Sequence, residues 1–270
     1  MLTKPRPGGA RTLQPQSLRQ EYEEFILQRI EDFKDGMPRD QLLALADEAV
    51  RELETDAAEQ LILTEVLVLE HVDRLIMRRL RLPAYKRWRD RHVKLRQSQQ
   101  DPTHWGLAAD TPLAGLAARL DEDDTALVVG AGAAAAALYL AARGGTVVLL
   151  DDDLTAIEAA EARAAAEVVG PGFQALVVRL GGWFPEASAS LVVIDAATMA
   201  ELPAGVRARV VDMLKECTPS GGVHCILPAE QRDDVIPLAP GALQAFYADW
   251  RVEKARRSGS RARWFFATKP

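Results

Sequence analysis

Gly130, Gly132 and Asp151 are the residues of this chain best placed to do chemistry. Gly130 ends the apolar run 126–129, and the turn Gly130-Ala131-Gly132 is bare enough for its backbone to approach a ligand closely. The alanine-rich stretch behind it has the composition of a helix, which would offer free N–H groups and a positive dipole end. A second apolar run, 146–150, delivers Asp151, a carboxylate of the kind that takes the two hydroxyls of a ribose. Strand, glycine turn, helix, strand and acid together describe a nucleoside-cofactor site. Asp195 closes a further predicted strand, 190–194, and is a weak catalytic candidate, with general base and a plain loop or cap role as its two readings.

The elements that must position these residues follow from periodicity. From 125 onward short apolar runs alternate with helical patterns: strands at 125–129, 146–150, 174–179, 190–194 and 222–227, and helices at 133–143, 154–168 and 204–216. That alternation predicts an α/β fold with a doubly wound, mostly parallel sheet. A helix at 240–247 and two strands at 250–256 and 263–267, joined by Ser258-Gly259-Ser260, predict a C-terminal antiparallel hairpin. Ahead of the glycine turn lies an all-α module. Its first helix is capped by Ser17 and ends near Gly36, and Pro38 opens a second. A third starts at Thr55 or Asp56 and runs to about Leu80, and a fourth begins at Pro83 with Tyr85, Trp88, His92 and Leu95 on one face. The expected division is a tail at 1–16, a helical module at 17–106 and the α/β domain at 107–270.

On the glycine strand, Asp151, the Pro219-Ser220-Gly221-Gly222 turn and the final hairpin, residues 125–269 resemble the class I S-adenosylmethionine-dependent methyltransferases. The resemblance implies a methyltransferase-like Rossmann fold. It implies S-adenosylmethionine as cofactor, with Gly130, Gly132 and Ala134 along its methionine part and Asp151 on its ribose. Trp183 and Phe184 have two readings, a stack on an adenine and an ordinary packed loop, of which the second is favoured. The family's pattern is broken at four places: Val128 replaces an acid before the glycines and Ala134 a third glycine, while Gly182 and Ser190 fall where acids usually stand. A charge-assisted hydrogen bond contributes about 1.5–3 kcal/mol, so two or three missing ones weaken cofactor binding by about two to six decades. The sequence therefore favours a degenerate cofactor site, with S-adenosylmethionine either bound or absent, on a protein that serves mainly as an accessory or structural subunit of a larger assembly, a membrane-bound complex being one candidate class that no residue specifies. The alternative is an active methyltransferase acting on a small molecule. Gly130 to Ala135 also fits G-x-G-x-x-A, but a dinucleotide oxidoreductase lacks the antiparallel last strand.

Composition bounds the rest. The apolar fraction of 48% supports a full core, and no apolar run approaches the ~18 residues of a membrane span. Cys217 and Cys225 lack metal spacing and the four histidines are scattered, so no metal is expected, and free thiols suit the cytoplasm. The net charge of −6 conceals a basic block: between Arg74 and Arg96 ten Lys/Arg face the single acid Asp90. Three uses are open to it: neutralising the acidic helices of the same module, docking a protein partner through residues 1–106, or meeting an anionic membrane surface. Nucleic acid is disfavoured by the net charge and by the packed look of Tyr85 and Trp88. Those aromatics are expected to bury against the α/β domain.

Overall fold

The computed structural model describes residues 17–56, 65–121, 123–228, 240–253 and 264–270. The chain divides into two compact units at Lys94/Leu95, ahead of the break expected near 106. The reason for the shift is Trp105. It is buried in the core of the second unit and donates its indole N–H to the Gln99 carbonyl, which ties the segment before the sheet to that core.

The first unit is helical. Helix α1 (Leu18–Asp35) starts where the sequence placed its cap: Ser17 Oγ accepts from Gln20 N–H, and the Gln20 side chain returns the bond to Ser17 N–H. Helices α2 (Arg39–Asp56) and α3 (Glu65–Arg79) follow, and α4 (Tyr85–Gln99) begins in this unit and crosses the division. The expected start of the third helix lies outside the described residues. Tyr22, Ile26, Ile30, Leu45, Leu75, Ile76 and Trp88 form this unit's core. Trp88 stacks on His92 at 4.5 Å between ring centres and packs against Tyr22. The aromatics thus bury inside the helical unit rather than against the sheet, because the helical spacing of Tyr85, Trp88 and His92 turns them to the face that α1 covers.

The second unit is a seven-stranded sheet: β1 (Thr125–Val129), β2 (Thr146–Asp151), β3 (Phe173–Val177), β4 (Ala189–Asp195), β5 (Val223–Leu227), β6 (Arg251–Glu253) and β7 (Phe265–Thr268). Their order is β3-β2-β1-β4-β5-β7-β6, with β1 to β5 parallel and β7 antiparallel to both neighbours. The expected hairpin is therefore present, although its turn at 258–260 lies outside the described residues. Side chains alternate between two cores, as a sheet covered on both faces requires. Ala126, Val128, Val147, Leu149, Leu191 and Val193 face α5 (Leu113–Ala117), α6 (Ala134–Ala142) and α7 (Leu154–Ala166). Leu127, Val129, Leu150, Val192 and Ile194 face α8 (Ala196–Glu201), α9 (Ala204–Cys217) and α10 (Pro240–Phe246). No described helix is long and apolar enough to cross a membrane.

Candidate functional site

The strand order reverses direction between β1 and β4, and the crevice outside their carboxyl ends is where open α/β sheets bind ligands. Gly130, Asp151 and Asp195 all fall at this end, on the neighbouring strands β1, β2 and β4. The register sets Val129 opposite both Leu150 and Ile194, and Gly130 N–H continues the ladder to the Leu150 carbonyl at 2.9 Å. The candidate residues are thus brought together as the sequence suggested.

What they touch is the chain itself. Asp151 is buried, with 5% of its surface exposed. One of its oxygens accepts from Ala131 N–H of the glycine turn at 2.5 Å and the other from Asp153 N–H at 2.8 Å. The first bond depends on the pairing of β1 with β2, and the second follows from local structure. Asp151 ends a strand and Asp153 caps α7, so the chain bends back and presents the Asp153 amide to the Asp151 carboxylate. Burial and the neighbouring Asp151 carboxylate hold the Asp152 carboxyl above the ordinary range.

Asp195 is the N-cap of α8, a helix that the sequence reading did not anticipate. Its Oδ1 accepts from Ala197 N–H at 3.2 Å, and its Oδ2 accepts from Thr198 N–H at 3.0 Å and from the Thr198 hydroxyl at 2.8 Å. The signal that would have found Thr198 is the spacing Asp195-Ala196-Ala197-Thr198, a capping acid with a second side-chain donor three residues on.

These two side chains fill the space that the glycines leave. A Cβ on Gly132 would stand 2.6 Å from Asp195 Oδ2. A Cβ on Gly130 would stand 2.5 Å from Thr198 Oγ1 and 2.7 Å from Asp195 Cβ, and Gly130 also has φ +96°, a region that disfavours any side chain. The close approach that glycine permits is made by Asp195 and Thr198. Each Asp151 oxygen thus already accepts one backbone amide, and Asp195 already lies against Gly132.

The positions that depart from the family pattern have clear places in the fold. Val128 is fully buried on the α6 face of the sheet, and Ala134 opens α6 without a side-chain cap nearby. Ser190, at the opposite end of β4 from the crevice, gives its hydroxyl proton to Asp124, and that bond holds the Asp124 carboxyl below its ordinary range. Gly182 bends a loop whose Phe184 is buried in the core, while Trp183 is 53% exposed.

The four histidines are tied to other work. His71, His92 and His104 each meet a carboxylate at about hydrogen-bond distance, Glu52, Glu21 and Glu167 respectively. His224 lies fully buried in β5. The Thr218 hydroxyl donates to the Leu214 carbonyl at 2.7 Å, so Thr218 Oγ1 accepts from His224 Nε2–H at 2.9 Å. Tyr247 O–H then donates to Nδ1 at 2.8 Å. Burial, reinforced by the cations Lys215 and Lys269, pushes the imidazole pKa down to about 3. Among the described residues no three His, Cys, Asp or Glu side chains are grouped as metal ligands would be, and Cys217 and Cys225 are free thiols.

No protein-family model and no curated protein matches the chain. Solved structures do. A magnesium protoporphyrin IX methyltransferase from Synechocystis, with bound S-adenosylmethionine, is 12% identical at a TM-score of 0.50, over 67% of this chain and 83% of that one. The fold is that of the class I methyltransferases. TehB of Haemophilus influenzae (17% identical, TM-score 0.48, 64% of this chain and 67% of that one) is also similar. So is the N-methyltransferase NodS of Bradyrhizobium japonicum with S-adenosylhomocysteine (14%, 0.48, 66% and 98%). The methyltransferase fold explains why the glycine turn and Asp151 meet: β1 and β2 are neighbours in its sheet, and their carboxyl ends share one edge of the crevice.

Proposed function

We propose that this protein is a methyltransferase-fold accessory subunit that works through its surfaces and not through methyl transfer. One observation carries this reading: the Asp195 carboxylate and Thr198 hydroxyl occupy the space beside Gly130 and Gly132 that their missing side chains leave. The engagement of both Asp151 oxygens by backbone amides supports it. A ligand that moved Asp195 aside would cost α8 its cap, about 0.5–2 kcal/mol. Such a ligand must return that energy before it binds at all. Titration calorimetry of the full chain with S-adenosylmethionine and S-adenosylhomocysteine is expected to show no saturable heat up to about 1 mM, an affinity of only about 4 kcal/mol. Saturable binding that Asp151→Ala abolishes would overturn the reading.

The second reading is an active S-adenosylmethionine-dependent methyltransferase on a small molecule. What favours it is the survival of the bare turn Gly130-Ala131-Gly132 beside Asp151 at the carboxyl edge of β1 and β2. It is separated from the first reading by the same titration.

A further inference from the structure

We propose that the outward face of α4 is a docking surface for an acidic protein segment. This deepens the accessory reading by naming the chemistry of its partner, and rests on that reading for its functional meaning. Arg87, Arg91 and Lys94 recur at spacings of four and three residues, which places them on one face along about 10 Å of helix. All three are exposed, and none has an ion-pair or hydrogen-bond partner among the described residues. Their basic neighbours behave differently: Arg74, Arg78 and Arg79 meet Glu70, Glu52 and Glu48, and Arg89 meets Asp90. The module thus neutralises one part of its basic block internally and leaves this stripe open. Like charges at helical spacing repel one another, and a chain of net charge −6 has acids enough to pair them.

Charge complementarity calls for an anion, and the surroundings select which. A membrane-binding helix needs an apolar face to insert, but the apolar and aromatic side of α4, with Trp88 and His92, is buried in the helical core. Three cations alone hold only millimolar contact with an anionic bilayer. Single-stranded nucleic acid needs exposed rings to stack on, and Trp88 supplies none. What remains is a rigid row of two guanidinium forks and an ammonium that matches carboxylates on one face of a helix or strand, where Arg–carboxylate pairing is bidentate.

The test is fluorescence anisotropy with the full chain at about 50 mM salt, where screening is weak. The probe is a labelled helical peptide with glutamates at i, i+4 and i+7. Its control has the same composition with glutamates spread round the helix. The expected result is binding that weakens at least about tenfold with the control peptide and at least about tenfold in R87E/R91E/K94E. Should that variant misfold, R87Q/R91Q, which removes charge without adding any, carries the same expectation. Equal binding of both peptides or no effect of the substitutions would overturn the proposal. So would tighter binding to phosphatidylserine vesicles or to a single-stranded RNA. Calorimetry with S-adenosylmethionine on the same samples separates the two claims. Cofactor binding with a working stripe removes the accessory reading alone, and a silent titration with a dead stripe removes the docking face alone.

Discussion

The Asp195 carboxylate lies against Gly132, with Oδ2 at 2.6 Å from where a Gly132 side chain would begin. Gly132 does not sit in the left-handed region, so its backbone accepts alanine and only the neighbouring carboxylate forbids it. G132A is therefore expected to lose about 1–3 kcal/mol through overpacking. D195A, which removes the oxygens, is expected to lose about 0.5–2 kcal/mol of cap energy. In the double variant the clash is gone, so the two losses should couple by about 1 kcal/mol or more. Urea denaturation of the four proteins measures it. Strict additivity would mean that the glycine is required by something other than Asp195.

Gly130 gives the contrasting case. Its φ of +96° and its contacts with Thr198 both oppose a side chain. G130A is expected to lose more than about 2 kcal/mol, and D195A should leave most of that loss in place, since the backbone strain is local. The same denaturation series reads this out.

Asp151 closes the glycine turn by accepting from two amides. Asparagine is nearly the same shape but can offer only one acceptor, so its NH2 group must face an N–H donor. D151N should lower stability by about 1.5–3 kcal/mol, with or without S-adenosylmethionine present. A thermal melt whose midpoint is unchanged would show that the carboxylate is idle in the free protein.

The pH dependence follows from His224. Its folded pKa of about 3 lies below the unfolded value of 6.5, so the unfolded chain takes the proton first. Its contribution is complete above about pH 6.5. It then falls by about 1.4 kcal/mol for each unit of pH down to about 3. Denaturation midpoints measured between pH 7 and 4 should drop accordingly, and H224F should flatten that slope while costing stability at pH 7, because Thr218 and Tyr247 lose their partner.

The chain alone determined the elements and their order. Short continuous apolar runs marked β1, β2, β4 and β5, Ser17 marked the start of α1, and the bare turn before an alanine-rich stretch marked the β1–α6 junction. These signals are local, since an apolar run and a helix cap involve residues a few positions apart. The edge strand β3 was expected at 174–179 and runs 173–177, so its carboxyl end falls two residues earlier, where apolar pattern and pairing part company. Helix α8 was missed because it is only six residues long, too short for helical periodicity to register. The outcome at the crevice was decided by tertiary structure. Gly130 and Gly132 look the same in sequence whether they admit a ligand or a neighbouring side chain. Only the pairing of β1 with β4 brings Asp195, more than sixty residues away, into the space they leave. Likewise the basic block reads as one feature in the chain. The packing of α3 on α2 gives Glu48 and Glu52 to Arg79 and Arg78, and leaves the stripe on α4 facing water. Charge pairing depends on which helices become neighbours, and that is settled by burial of their apolar faces and not by the charges themselves.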